Sequence, residues 1–177
     1  IDPVDGTRNF AKGVPFWCIL VAVMKNGLPY LAAVYNPIAD QLFFAQKGQG
    51  ATLNGAPIKV NAANSLDFSF TCMNYSPQKS SEYVERFKGM IGRFTTETTG
   101  RLYNYGTMLP ACHVAAGGID VFATNAGYDH DYLAPGLICS EAGALVTDSD
   151  GNAWRRGRRD IVIANPALHA KVIELFK

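Results

Sequence analysis

The feature that most narrows the fold is a series of short apolar runs cut at close intervals by turn sequences. FWCILVAVM (16–24) ends at Lys25-Asn26-Gly27 and YLAAVYN (30–36) at Pro37. QLFFA (41–45) ends at Lys47-Gly48-Gln49-Gly50, and Asn54-Gly55 follows. Asn-Gly suits the tightest hairpin turn, which needs positive φ at both central residues. The spacing therefore predicts an antiparallel meander that ends at about Val60. Several runs are apolar at successive positions, which predicts a sheet covered on both faces.

The rhythm changes after residue 65. FSFTCM (68–73) reads as a strand. SSEYVERFKGMIGRF (80–94) carries Tyr83, Val84, Phe87, Met90, Ile91 and Phe94 on one helical stripe. A second helix is expected with Thr107 as its N-cap and Gly117-Gly118 as its stop. A third should run from Asp131 to Gly143, and a fourth from Asn165-Pro166 through Phe176. IDVFAT (119–124), ALVTD (144–148) and IVIA (161–164) supply strands between them. A meander first and alternation second predict the α/β class: a layered α/β sandwich, one domain over 1–177, with a lobe boundary near 61–66.

Charge excludes some partners. Charged residues make up 18% of the 177 and the net charge is +1, so no global field attracts nucleic acid or a membrane. Arg155, Arg156, Arg158 and Arg159 crowd around Gly157 as the local exception. A solvated loop is expected there, with contact to RNA, a phosphorylated substrate or a partner as the alternative. No apolar run reaches a membrane span. Cys18, Cys72, Cys112 and Cys139 lack metal-ligand spacing and read as buried thiols of a reducing compartment. A cytoplasmic protein follows from these features. The sequence opens at IDPVDGT without an initiator Met and is expected to continue a longer chain. His113 and Trp17 are expected in the core, His169 on the surface, Glu141 in a structural role, and Asp148 and Asp150 in turns.

The chemistry concentrates at the start. Pro3 holds Asp2 extended, and Asp5-Gly6-Thr7 reads as a turn from a strand end into a helical segment. Such a turn points both carboxylates into one cleft. Two close acids repel unless a cation or protons lie between them. With no His or Cys near them in sequence, a metal there meets oxygen donors, as Mg²⁺, Ca²⁺ and Mn²⁺ prefer. Gly6 lets backbone approach a ligand, and the amides of Gly6 and Thr7 suit phosphate. Together these residues suggest metal-assisted phosphoryl chemistry. On spacing alone, an ordinary turn is the favoured account of these residues.

DPVDGTRNF resembles the D-P-[IL]-D-G-T-x-N-F motif of the inositol monophosphatase family. DYLAPGLICSEAGALVTDSDG (131–151) resembles that family's W-D-x-A-A-G-x-x-x-x-E-A-G-G motif, with Asp131 in register. GQGATLNGAPIKV, YGTMLPACHVAAGGIDVF and IANPALHAKVIELF resemble further family stretches. The resemblance implies the sugar phosphatase type of α/β sandwich and hydrolysis of a small phosphorylated metabolite by activated water. It also implies two or three Mg²⁺ ions and a homodimer, while the charge balance and the lack of a long apolar run leave neither membrane nor nucleic acid as an expected partner. It implies Asp2, Asp5, Asp131 and the Val4 carbonyl as metal ligands, and Gly6 and Thr7 as phosphate-binding groups. Thr7 and Asp5 would be catalytic, with the Thr7 hydroxyl orienting the water. Gly106, Thr107, Thr124 and His130 fall at substrate-contacting positions.

The departures bear on the substrate. The family pairs these acids with a glutamate well upstream, a place this sequence does not reach. His130 replaces a Trp, Pro135 replaces an Ala, and Met108 stands where a small residue is common. Thr124 replaces a Glu that contacts ring hydroxyls in inositol-specific members. GVPFW after NFAKG resembles the histidinol-phosphate branch. Histidinol phosphate, fructose 1,6-bisphosphate and a nucleotide 3′-phosphate are therefore alternative substrates. A non-catalytic RNA- or protein-binding role is the alternative of another class.

Overall fold

The computed structural model describes residues 1–76, 82–125 and 127–177. The first six strands are β1 (Asp2–Asp5), β2 (Cys18–Lys25), β3 (Leu28–Asn36), β4 (Gln41–Gln46), β5 (Ala51–Leu53) and β6 (Ala56–Ile58). They form one antiparallel sheet in chain order, with the short helix α1 (Thr7–Ala11) between β1 and β2. Asn26-Gly27 has φ values of 52° and 77°, and Asn54-Gly55 has 49° and 82°. These are the left-handed pairs a two-residue hairpin demands.

The chain passes to a second sheet between Ile58 and Phe70. That sheet holds β7 (Phe70–Asn74), β8 (Arg101–Tyr103), β9 (Val121–Thr124), β10 (Leu145–Thr147) and β11 (Ile161–Ala164), in the order β10-β11-β9-β7-β8. β7 runs parallel to both β8 and β9, because helices carry the chain back between them. The helices are α2 (Glu82–Glu97), α3 (Leu109–Ala115), α4 (Asp129–Glu141) and α5 (Pro166–Glu174).

Two apolar layers order these parts as sheet, helices, sheet, helices. Leu20, Val34 and Phe43 of the first sheet meet Leu109 and Cys112 of α3 and Ile138 and Cys139 of α4. Phe122, Ile161 and Ile163 of the second sheet close that layer. On the other face of the second sheet, Met73, Val121 and Val162 pack on Phe87, Met90 and Phe94 of α2 and on Leu168 and Val172 of α5. The expected layered α/β sandwich is thus the observed architecture. β9 and β11 are buried along their whole length, as strands covered on both sides must be.

The first sheet departs from that expectation. Its strands alternate, and Val23, Leu42 and Phe44 remain 47%, 42% and 39% exposed. Among the described residues, α3 and α4 cover only its inner face. An apolar run records a strand's tolerance for burial on both sides, whereas a covering layer has to come from elsewhere in the chain.

Several boundaries shift. α2 starts at Glu82, and the expected first residues Ser80 and Ser81 lie outside the described residues. α3 starts at Leu109, with Met108 rather than Thr107 at the N-cap. α4 starts two residues early, which makes Asp131 its third residue rather than its cap. The Asp131 carboxylate accepts the Tyr128 N–H at 2.6 Å, as the third residue of a capping box does. His169 is buried rather than on the surface, its ring bonded to the Thr147 hydroxyl at 2.7 Å. Glu141 accepts from the Gly48 and Gly50 amides at 2.8 and 2.9 Å, fastening the β4–β5 turn to α4.

The arginine loop is bound rather than free. Arg156 pairs with Asp129 at 2.8 Å. Arg158 reaches Asp150 and Asp160 at 3.0 Å and Asp148 at 3.4 Å. Arg159 lies 4.1 Å from the Tyr128 ring centre. All four cysteines are buried and unpaired. Among the described residues no helix is long and apolar enough to cross a membrane.

Asn165 offers a direct test of the packing. Its Oδ1 accepts the Leu168 amide at 3.0 Å, and its Nδ2 donates to Asn61 Oδ1 at 3.0 Å and the Ala63 carbonyl at 2.9 Å. Asn165→Ala removes a helix cap and strands a buried carbonyl. Urea unfolding should show a loss of about 2 kcal/mol. A change under about 0.5 kcal/mol would mean that the cap does not hold α5.

Candidate active site

Asp2 and Asp5 belong to a strand whose register is broken. β1 sets Asp2 opposite Leu20 and Asp5 opposite Cys18, with an irregularity between them. On a regular strand, residues three apart face opposite sides. One extra residue in the register turns both acids the same way. Gly6 then adopts a φ of 86°. A Cβ there would lie 3.2 Å from Thr107 Cβ and 3.3 Å from the Phe16 carbonyl, so the turn requires glycine. Behind it, Asn9 Nδ2 donates to the carbonyls of Phe16 and Tyr105, each at 2.7 Å, and pins α1.

Asp5 is the buried centre. Its Oδ2 accepts the Thr107 hydroxyl, the Met108 amide at 2.5 Å and the Cys18 thiol at 3.4 Å. The Leu109 amide donates in turn to Thr107 Oγ1 at 3.3 Å. The start of α3 thus closes on a carboxylate from the far end of the chain. Burial pushes the Asp5 carboxyl up to about 6, and these hydrogen bonds offset part of that rise. Burial also raises the Cys18 thiol, so it stays protonated and donates.

Asp131 comes to the same place from α4. Ligand atoms of Asp2, His130 and Asp131 all lie within 4.8 Å of one another, and His130 Nε2 is 3.6 Å from Asp131 Oδ1. Burial raises the Asp131 carboxyl, the Asp2 charge raises it further, and His130 opposes the rise. The expectation that neither His nor Cys lies near these acids is corrected in space. A His stands beside two of the acids and a Cys beside the third, brought there by residues remote in sequence. Val4 turns its carbonyl to the Thr7 hydroxyl at 2.9 Å.

Asp5 and Asp131 border a cleft of about 720 Å³, while Asp2 and Val4 lie outside its lining. Asp5, Gly6, Thr7, Gly106, Thr107, Thr124 and Asp131 line it, whereas His130 stands by Asp2 and Asp131 outside the lining. The Thr107 proton is committed to Asp5, and Met108 contributes its amide while its side chain is buried.

Asn74 escaped the sequence reading. Its Nδ2 donates to the Thr107 carbonyl at 2.6 Å, and its Oδ1 accepts the Gly106 amide at 3.0 Å. It fixes the loop that supplies Thr107. Asn74 and Thr124 close the carboxyl ends of the parallel strands β7 and β9. Ligands of α/β sheets gather at such ends, a signal that was available once the strands were read as parallel.

The buried acid has a pH signature. Unfolded, Asp5 loses its proton near 3.8; folded, near 6. Its proton therefore favours the fold below about 4, and that contribution fades as pH rises to about 6. It amounts to about 3 kcal/mol. From pH 4 to 7 the metal-free stability of the natural chain should fall by about 3 kcal/mol relative to that of Asp5→Asn, as urea unfolding of the two would show. A stability difference between the two chains that does not change with pH across the window would contradict the burial of this carboxyl.

The model of the inositol monophosphatase family matches residues 1–177. The chain is 34% identical over 168 residues to the Nus factor SuhB of Salmonella typhimurium, covering 95% of this chain and 62% of that protein. It is 33% identical to inositol monophosphatase 2 of Solanum lycopersicum, covering 95% of this chain and 64% of that one. The crystal structure of the extragenic suppressor protein suhB from Bartonella henselae superposes over 99% of this chain and 68% of that one. The TM-score is 0.90 at 30% identity. The chain thus spans less than two thirds of the length of these two relatives. Its likeness in both sequence and fold leads to one conclusion: the chain belongs to the inositol monophosphatase family.

Proposed function

We propose that the chain carries the catalytic part of a Mg²⁺-dependent phosphatase that hydrolyses a small phosphate monoester. The observation that carries this reading is the convergence of Asp2, Asp5 and Asp131 beside one cleft. Asp131 raises the proton affinity of Asp5, and the Asp2 charge raises that of Asp131; such an environment is one that a divalent cation relieves. The donors fit a hard ion: Asp2, Asp131, the Val4 carbonyl and the free oxygen of Asp5 would hold it, in two or three sites. Bound Mg²⁺ supplies neutralisation of the phosphate oxygens and acidification of nearby water.

The chain's own groups do the rest. The Gly6 and Thr7 backbone receives phosphate oxygens at the first turn of α1. The Thr7 hydroxyl gives its proton to the Val4 carbonyl, so its lone pairs accept from the attacking water and orient it. Thr107 and Met108 lock one oxygen of Asp5 and leave the other for the ion. The neutral Thr124 speaks against inositol itself, leaving histidinol phosphate, fructose 1,6-bisphosphate and a nucleotide 3′-phosphate as alternatives. The family likeness supports a homodimer. A cytoplasmic location fits the four unpaired cysteines.

Relatives called Nus factors support a second reading, a non-catalytic binding role, and the expectation of no nucleic-acid partner weakens accordingly. The pairing of Arg156 and Arg158 within the chain leaves that loop little free charge for it.

Two measurements test the reading. Phosphate release should require Mg²⁺ and stop with EDTA; release untouched by EDTA, or none with any ester, would sink it. Calorimetric Mg²⁺ titration should show Thr107→Val weakening affinity about 10- to 100-fold, since it frees a ligand's supporting oxygen. Asp131→Asn should weaken it by at least as much. Unchanged affinity in both would remove these residues from the site.

A further inference from the structure

The cleft contains one positive charge that the phosphatase reading does not use. Among its described lining residues, Arg8 is the sole cation. It is exposed, and among the described residues it makes no ion pair. An exposed, unpaired arginine on an open surface is ordinary. Arg8 differs in its placement. It follows Gly6 and Thr7 directly, on a helix whose position Asn9 fixes through two 2.7 Å hydrogen bonds. The other groups around it, Asn74, Asn104, Tyr105 and Thr124, are neutral.

The charges can be followed through the cleft. Asp5 and Asp131 are the acids among its described lining residues, and in the proposed function both are engaged by cations. Arg8 stands on the same wall with no acidic partner among the described residues, open to an anionic group on the substrate. A guanidinium presents a planar fork of donors that matches a carboxylate or phosphate. We infer that Arg8 is a specificity residue: the preferred substrate bears a second anionic group, carboxylate or phosphate, on the portion that leaves. The inference rests on the phosphatase reading and narrows it. It also disfavours histidinol phosphate, whose leaving group is cationic.

Matched esters test it in the full chain with Mg²⁺. Glycerol 3-phosphate and 3-phosphoglycerate differ only by a carboxylate in place of a hydroxymethyl group. Fructose 1-phosphate and fructose 1,6-bisphosphate differ by a second phosphate. The readout is the ratio of kcat/KM within each pair, for the natural chain, Arg8→Met and Arg8→Lys. The anionic member should be preferred, and Arg8→Met should lower that preference about tenfold or more. Arg8→Lys should keep part of it, and added salt should erode it. The pair that responds tells carboxylate from phosphate. Equal loss on both members would place Arg8 on the transferred phosphate and overturn the inference. Ratios identical in all three chains would make Arg8 a solvated cation and overturn it as well. No turnover of any ester defeats the phosphatase reading itself, an outcome distinct from a flat ratio.

Discussion

One carboxylate oxygen joins the two ends of this molecule's chemistry. Asp5 Oδ2 takes the Thr107 hydroxyl, 102 residues away, and the Met108 amide beside it. A helix start has amides in want of acceptors, and a buried carboxylate wants donors. Each supplies what the other lacks, so α3 begins where Asp5 ends. Asp5 and Thr107 both line the cleft. Without this contact the first strand and the second half of the chain would share an apolar layer but no polar centre.

The neighbouring features serve that contact. The irregular register of β1 turns Asp2 and Asp5 to one side. Gly6 holds a positive φ and gives a close approach to Thr107 that a Cβ would crowd. Asn74 holds the Thr107 loop from the strand end opposite. α4 then brings Asp131 within reach of Asp2, its own carboxylate steadied by the Tyr128 amide. The burial that makes Asp5 rigid also raises its proton affinity. A site that is unfavourable as bare charge is one that a cation stabilises strongly.

Charge elsewhere is handled differently. The arginines at 156 and 158 are neutralised by Asp129, Asp148, Asp150 and Asp160, so that loop is a brace between α4 and the last strands. His169, Thr147 and Asn165 show the same economy in the interior, each polar group spent on a partner from another element. The outer face of the first sheet keeps exposed apolar side chains at Val23, Leu42 and Phe44.

Local patterns in the sequence were enough for the elements. Turn dipeptides and short apolar runs marked the meander, a helical stripe marked α2 and the Asn165-Pro166 cap marked α5, because backbone preference and side-chain burial act over a few residues. The motif around Asp2 and Asp5 was legible for the same reason, and family likeness added Asp131. Tertiary structure alone decided the rest: Cys18 and Thr107 as partners of Asp5, His130 beside Asp2, Asn74 on the cleft loop, and His169 inside rather than out. Those depend on which surfaces meet after folding. Contacts across a hundred residues leave no periodic trace in a sequence.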